Sequence, residues 1–331
     1  MDKTVHTVID PDLCIGCGEC IRVCPKETIR LQGDKAVVAG KESIACGHCV
    51  AVCPTGAVTV TNLDTEGMLL ATVPNDNRWL PHGEFDTTQL FRLMRSRRSC
   101  RNYLDKPVPL SVLQDLVKIG ISAPSGSNCQ PWTFTLVPTR PAVLELGKAV
   151  GAFFRKLNQT AANPLLRNRL ALCGRGELKA YYHNSYQEVK DKILEFDTTG
   201  KDFLFWQAPA LVIIATTPGA SCPKEDALMA AQNILLGAHS LGLGTCPIGF
   251  AVAAMNRDHA IQTNIGLPPD ERVQAVLTIG YPDETWQGLA ARKPVAPRIV
   301  GARSRIYRLD LRIGGAMVAR KVLKQAGFQG L

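Results

Sequence analysis

Seven cysteines in the first 53 residues fall into two runs, CIGCGECIRVCP over residues 14–25 and SIACGHCVAVCP over residues 43–54. The second copy repeats the first 29 positions later: Cys17 becomes Cys46, Cys20 becomes Cys49, Cys24 becomes Cys53, and Gly18 becomes Gly47. C-x2-C-x2-C lets one short loop reach three irons of a cubane, and the Cys that precedes a Pro ligates the other cluster. The spacing therefore predicts two [4Fe-4S]-type iron–sulfur clusters with crossed ligation. Cys14, Cys17, Cys20 and Cys53 hold one, and Cys46, Cys49 and Cys24 hold the second. A structural zinc takes four ligands, so seven Cys overfill it. Gly18 and Gly47 fit backbone that passes close to a cluster, where a Cβ has no room.

One position breaks the repeat: Ser43 stands where the first copy has Cys14. A serine hydroxyl is a weaker acid and a harder donor than a thiol, so it ligates iron only as an alkoxide. Three outcomes stay open for the second centre: a four-iron cluster with oxygen on one iron, a [3Fe-4S] cluster lacking that corner, or a Cys supplied from elsewhere.

The elements that position these loops are small. Residues 1–62 are too short for much of a core, and the clusters would organise them as an iron–sulfur domain. Residues 63–87 collect Pro74, Pro81, Gly67 and Gly83 without periodicity and read as a linker laid over a surface. Residues 88–331 form the second domain. Helical spacing runs over Thr88–Arg95 and Leu110–Ile121, and strands are expected at Thr133–Val137, Leu211–Thr216 and Val273–Ile279. Residues 142–207 are mostly helical, with long helix over Leu165–Leu194 broken near Gly174 and Gly176. This insertion either caps a pocket, its tyrosines and basic groups facing the substrate, or forms a dimer-packing arm. Asp226–Gly244 is apolar almost all round and argues a buried helix. Its closing GLG follows a helix rather than a strand, so it does not support a Rossmann site.

The 331 residues are 46% hydrophobic and carry a formal charge of +9, yet only 20% are charged and no aromatic-interleaved basic stripe appears. Nucleic acid is therefore not expected as a partner. An acidic electron-carrier protein or an anionic cofactor suits the charge better. No apolar run is long enough for a bilayer and the N-terminus lacks a signal pattern, so a cytoplasmic protein without a membrane partner is expected. Cys100, Cys129, Cys173, Cys222 and Cys246 lie outside the cluster loops, and small buried residues are the expected role for most of them.

Two further segments suit a phosphorylated planar cofactor. In RSRRSCRNY, Arg97, Arg98, Ser99 and Arg101 offer guanidinium forks and a hydroxyl to a phosphate dianion. In APSGSNCQPW, residues 123–132, turn chemistry exposes backbone and amide groups that can meet the polar edge of a ring.

These segments, with DALMAAQNILLGAHSLGLGTCPIGF and the GYP at residues 280–282, resemble the FMN-dependent nitroreductase family. The paired Cys loops resemble bacterial two-cluster ferredoxins, and the fused arrangement resembles ferredoxin-domain nitroreductases. The resemblance implies an α+β fold, a ferredoxin-like module followed by a mostly antiparallel sheet flanked by helices. It puts the FMN phosphate and ribityl chain on Arg97, Arg98, Ser99 and Arg101, with Arg292 as a further basic contact and Arg298 competing for that place. Asn128 would hydrogen-bond the ring and Gln130 lie near it, with Ile248 and Gly249 offering backbone. Pro124 and Ser125 would reach the cofactor across the interface of a homodimer. Cys100, Cys129 and Cys246 fall in flavin-proximal segments.

A flavin accepts single electrons and releases a hydride, so this fusion couples one-electron donors to two-electron reduction. The expected function is an oxidoreductase passing electrons from reduced ferredoxin or NAD(P)H through the clusters to FMN. The expected acceptor is an electron-poor small molecule such as a nitro compound or quinone. Reductive dehalogenation and enoate-type reduction are alternatives on the same fold, because fold does not choose chemistry. An electron-transfer or redox-sensing protein with no substrate of its own is the reading from another class.

Overall fold

A computed structural model describes residues 2–300 and 306–308. The chain divides into two compact units, Met1–Thr285 and Trp286–Leu331. In the second, β9 (Arg298–Val300) pairs antiparallel with β10 (Ile306–Arg308).

The first unit opens with two short antiparallel pairs, β1 (Thr7–Ile9) with β4 (Val58–Val60) and β2 (Ile29–Gln32) with β3 (Lys35–Val38). Between them lie two one-turn helices, α1 (Glu19–Arg22) and α2 (His48–Ala51). Gly18 and Gly47 precede these helices at φ 77° and 73°, a left-handed conformation that L side chains resist. Among protein atoms nothing lies within 4 Å of a Cβ built on Gly18. Backbone conformation, rather than crowding by the protein, therefore demands glycine there. The buried residues of this module include Cys14, Cys20 and Cys49 beside Ile29, Ala57 and Val58, so prospective ligands make up much of its small core.

Residues 61–86 lie in turns and extended chain around one 3-10 turn, Glu66–Met68. Asp115 fixes this stretch: its buried carboxylate accepts from the Ala71 N–H at 2.8 Å, the Thr72 N–H at 2.7 Å and the Thr72 hydroxyl at 2.6 Å. Then come α3 (Thr87–Ser96), capped by the Asp86 carboxylate, and α4 (Leu110–Ile121), which opens at Pro109.

A four-stranded antiparallel sheet follows, in the order β5 (Trp132–Val137), β6 (Ala210–Thr216), β8 (Arg272–Gly280), β7 (Gly244–Pro247). All seven residues of β6 are buried, and a bulge interrupts its register with β8 between Ile214 and Ala215. Ala210, Val212 and Ile214 face one apolar cluster with Leu113 and Leu116 of α4 and Ile234 of α9 (Pro223–Ser240). Leu211, Ile213 and Ala215 face the other, with Val143 and Val150 of α5 (Arg140–Ala162) and Met255 of α10 (Gly249–Met255). Helices thus cover both faces of the sheet, as the period-2 alternation requires. Ile261 of α11 (His259–Thr263) closes the second face.

The insertion between β5 and β6 is helical as expected, in four pieces: α5, α6 (Pro164–Leu172), α7 (Glu177–Asn184) and α8 (Tyr186–Thr199). Beyond the break at the glycines, a second one falls at Ser185.

Candidate functional site

The two cysteine runs fold into two separate rings. Cys14, Cys17, Cys20 and Cys53 line one small cavity. Cys24, Ser43, Cys46 and Cys49 line the other. This is the crossed grouping that the spacing predicts, with Ser43 as the fourth corner. Among the described residues no group of His, Cys, Asp and Glu side chains closes on a single metal ion. Thiols spaced around a cavity suit a cubane, and the donor set fits that group.

Backbone amides support the ring sulfurs. The Thr28 N–H donates to Cys24 Sγ at 3.4 Å, and the Ala57 N–H donates to Cys53 Sγ at 3.2 Å. Burial raises both thiol pKa values, but these and neighbouring hydrogen bonds outweigh it and hold them below the ordinary value. For Cys20 and Cys49 burial prevails and pushes the thiols up, reinforced by the neighbouring cysteines. Ser43 is buried, and its Oγ accepts from the Ala45 N–H at 3.0 Å. Ala45 is held left-handed at φ 46°, a strained conformation for a residue with a Cβ, costing on the order of 1–3 kcal/mol.

The basic segment runs as extended chain along β7. Ser99 bridges Thr245 in parallel, and the Cys100 N–H donates to the Thr245 carbonyl at 2.9 Å. Contact here is close: a Cβ on Gly244 would lie 2.7 Å from the Cys100 side chain. Tyr103 locks the far end, its hydroxyl 2.7 Å from Thr278 Oγ1 and donating to the Cys100 carbonyl at 3.0 Å. Arg97, Arg98 and Ser99 are half-buried, whereas Arg101 is exposed.

Beside this segment lies a cavity of about 700 Å³, within the range of small-molecule sites. Arg101, Cys246, Ile248 and Gly249 line one side. The helical insertion caps it with Phe154 and Lys148 of α5 and with Lys192 and Phe196 of α8. Basic groups therefore face the cavity as expected, but the tyrosines do not line it. Tyr181 instead stacks on Phe154 and donates to Asn158 Oδ1 at 2.7 Å. Burial pushes the Tyr181 hydroxyl up to about 12.

Sequence reasoning missed three residues near these segments. Glu284 Oε1 accepts from the Arg101 N–H at 3.2 Å and from Asn102 Nδ2 at 2.8 Å, while its buried Oε2 has no hydrogen-bond partner among the described residues. Trp206, at φ 57°, lies under the Arg101 guanidinium, 5.6 Å from its ring centre. Asp226, buried in α9, accepts from the Gly126 N–H at 2.9 Å and fixes the turn before β5. The sequence offered a hint only for Trp206, in the aromatic run FLFW.

Cys100 and Cys246 are buried as expected. Burial pushes the Cys100 thiol up to about 11 and raises that of Cys246, so neither is activated. Cys129 is half-buried, with Sγ 3.5 Å from Asp226 Oδ2. Cys173 and Cys222 are exposed, contrary to the small-buried-residue expectation.

Pro124, Ser125, Asn128 and Gln130 lie elsewhere, in the turn before β5. Gln130 donates from its backbone to Ser125 Oγ at 3.0 Å and from Nε2 to Asn128 Oδ1 at 3.2 Å. Asn128 Nδ2 donates to two backbone carbonyls of the second cysteine ring, Ile44 O at 3.2 Å and Ala45 O at 2.9 Å. The predicted flavin residues thus form two groups at opposite corners of the sheet. Thr245, beside Ser99, pairs with Ile279, whereas Trp132 reaches Arg272 through Thr216. At the usual strand rise Arg272 and Ile279 stand about 23 Å apart, and three strand spacings between β5 and β7 add about 14 Å crosswise. Arg292 and Arg298 belong to the second unit, where both are exposed.

Fold and rings together define a two-centre iron–sulfur module fused to a helix-covered antiparallel sheet. The chain belongs to the nitroreductase family, whose family model matches residues 94–281, and residues 6–54 match a 4Fe-4S dicluster domain. Iodotyrosine deiodinase of Thermotoga neapolitana is 26% identical over 209 residues, spanning 63% of this chain and 93% of that protein. The 4-nitrobenzoate reductase of a Nocardioides species is 29% identical over 206 residues, spanning 58% and 79%. Among solved structures, a nitroreductase with bound FMN from Bacteroides fragilis aligns over 63% of this chain and 95% of its own, with a TM-score of 0.47 and 24% identity.

Proposed function

We propose that this protein is an FMN-dependent oxidoreductase that takes electrons from a low-potential donor through two iron–sulfur clusters and delivers them to an electron-poor organic acceptor such as a nitro compound or quinone. The observation that carries this reading is the cavity of about 700 Å³ beside the Arg97–Arg101 segment, in a chain that also builds two cysteine rings. FMN, when bound, supplies the exchange between single electrons and hydride. Arg97, Arg98, Ser99 and Arg101 hold its phosphate and ribityl chain. The Ile248–Gly249 backbone would meet the ring, and Phe154, Phe196 and Trp206, which line the cavity, would keep water from the acceptor. Reduction of a nitro group to nitroso consumes two electrons and two protons and releases water. Reduced ferredoxin or NAD(P)H supplies the electrons.

The working unit is a homodimer. The Ser99 and Asn128 groups stand farther apart in one chain than a single mononucleotide spans. A second copy supplies the missing half. Leu90, Phe91 and Met94 leave exposed apolar surface on α3, suited to that contact.

Reductive dehalogenation is the second reading, favoured by the similarity to iodotyrosine deiodinases. The test is anaerobic reduction with dithionite followed by nitroaromatics, quinones and halophenols while the flavin absorbance is recorded. Rapid reoxidation by nitroaromatics or quinones supports the first reading and by halophenols the second. Slow reoxidation by all of them, with fast exchange to a carrier protein, sinks both.

A further inference from the structure

We propose that the second cluster site, ringed by Cys24, Ser43, Cys46 and Cys49, is the electron exit, and that it serves the flavin whose phosphate is held by the partner copy. This rests on the flavin reading above. The two cluster sites are not equivalent in their surroundings. The loop of the second is gripped by Asn128 through the carbonyls of Ile44 and Ala45, and Ala45 is bonded directly to the ligand Cys46. Ala45, Asn128 and Gln130 all carry positive φ, at 46°, 53° and 44°, so strained backbone lies on both sides of the contact that the Asn128 amide bridges. The gripping turn is itself pinned to the buried carboxylate of Asp226. In the first ring Cys17 is exposed, which leaves that centre open to an external one-electron donor.

Asn128 belongs to the half-site at the β5 corner, and its own chain's Ser99 strand lies at the opposite corner of the sheet. A flavin that touches residues 124–130 of one copy must therefore be held at its phosphate by Ser99 and Arg101 of the other. Electrons cross the dimer: each transfer moves one electron from a reduced centre, and two transfers with solvent protons complete the two-electron reduction of the ring. The external reductant is a low-potential one-electron donor.

A mixed dimer with two affinity tags tests this. One chain carries Cys46→Ala with Cys49→Ala and keeps its phosphate strand. The other carries Ser99→Ala with Arg101→Glu and keeps both clusters. Dithionite-driven bleaching of the flavin is followed by stopped flow, with flavin and iron counted per dimer. The Cys46→Ala/Cys49→Ala homodimer sets the rate of direct reduction. Crossed delivery predicts no loss of the wild-type rate per bound flavin in the mixed dimer. A fall to the direct rate means that each chain feeds its own flavin and overturns the proposal. Should the alanine chain not assemble, Cys46→Ser with Cys49→Ser keeps a polar ring and asks the same question. A wild-type dimer that binds no flavin overturns both this inference and the reading beneath it.

Discussion

The cysteine module and the sheet domain solve the same problem of burial by opposite means. In the first, strands run three or four residues and the interior is built around Cys14, Cys20 and Cys49. In the second, a seven-residue strand buried on both faces separates two large apolar clusters. The difference teaches that one interior is assembled largely from prospective ligands and the other from apolar area. Below about 40–60 residues a hydrophobic core alone is marginal, whereas a sheet with two helical layers needs no metal.

Removing iron should break the comparison most visibly. Chelation under oxidising conditions is expected to abolish amide-exchange protection in β1–β4 while β5, β6 and β8 stay protected. Exchange measured by mass spectrometry would sink the contrast if both regions opened together. Next in size, Phe205→Ala empties a fully buried site in the apolar core between the sheet and α5. It should cost about 3–5 kcal/mol in denaturant unfolding of the sheet domain, with cluster absorbance per native chain unchanged.

The stretch joining the two regions offers a smaller effect. Asp115→Ala removes the acceptor for Ala71 and Thr72 and should cost about 2–3 kcal/mol by thermal or chemical melts. Burial opposes ionisation of this carboxyl, but the Thr72 and Ala71 hydrogen bonds and Lys118 outweigh it and hold it below the usual range. A depressed folded pKa gives stability that is present above the unfolded value, about 3.9, and lost as pH falls through the folded value. The gap in melting temperature between wild type and variant should therefore begin to narrow as pH falls below about 4 and close only below the folded value. Smallest of all, Cys173→Ser alters an exposed thiol and should stay within about 0.5 kcal/mol in the same melts.

Much of this was legible in the sequence where local rules decide. The β-branched runs ending in Pro or Gly became β5, β6 and β8, and α4 occupies Leu110–Ile121 as its periodicity predicts. The grouping of the cysteines around two cavities was legible in their spacing, the Cys before each Pro falling with the other run. β7 was not legible: four residues at a sheet edge, closed by Pro247, leave too short a pattern for period 2. The separation of Ser99 from Asn128 was hidden too, since spacing along the chain says nothing about which corner of a sheet each segment reaches. The grip of Asn128 on Ile44 and Ala45 joins residues more than 80 positions apart and has no local signature.

The bulge between Ile214 and Ala215 has a consequence for how β6 finds its place. Where one side of a strand meets water, solubility itself forbids sliding by a residue. Here both sides are oily, and a slipped alignment would trade one greasy set for another at little cost. The irregular step works as a notch in a key: only one seating against β8 lets it turn, so misalignment is rejected by shape where polarity cannot do it.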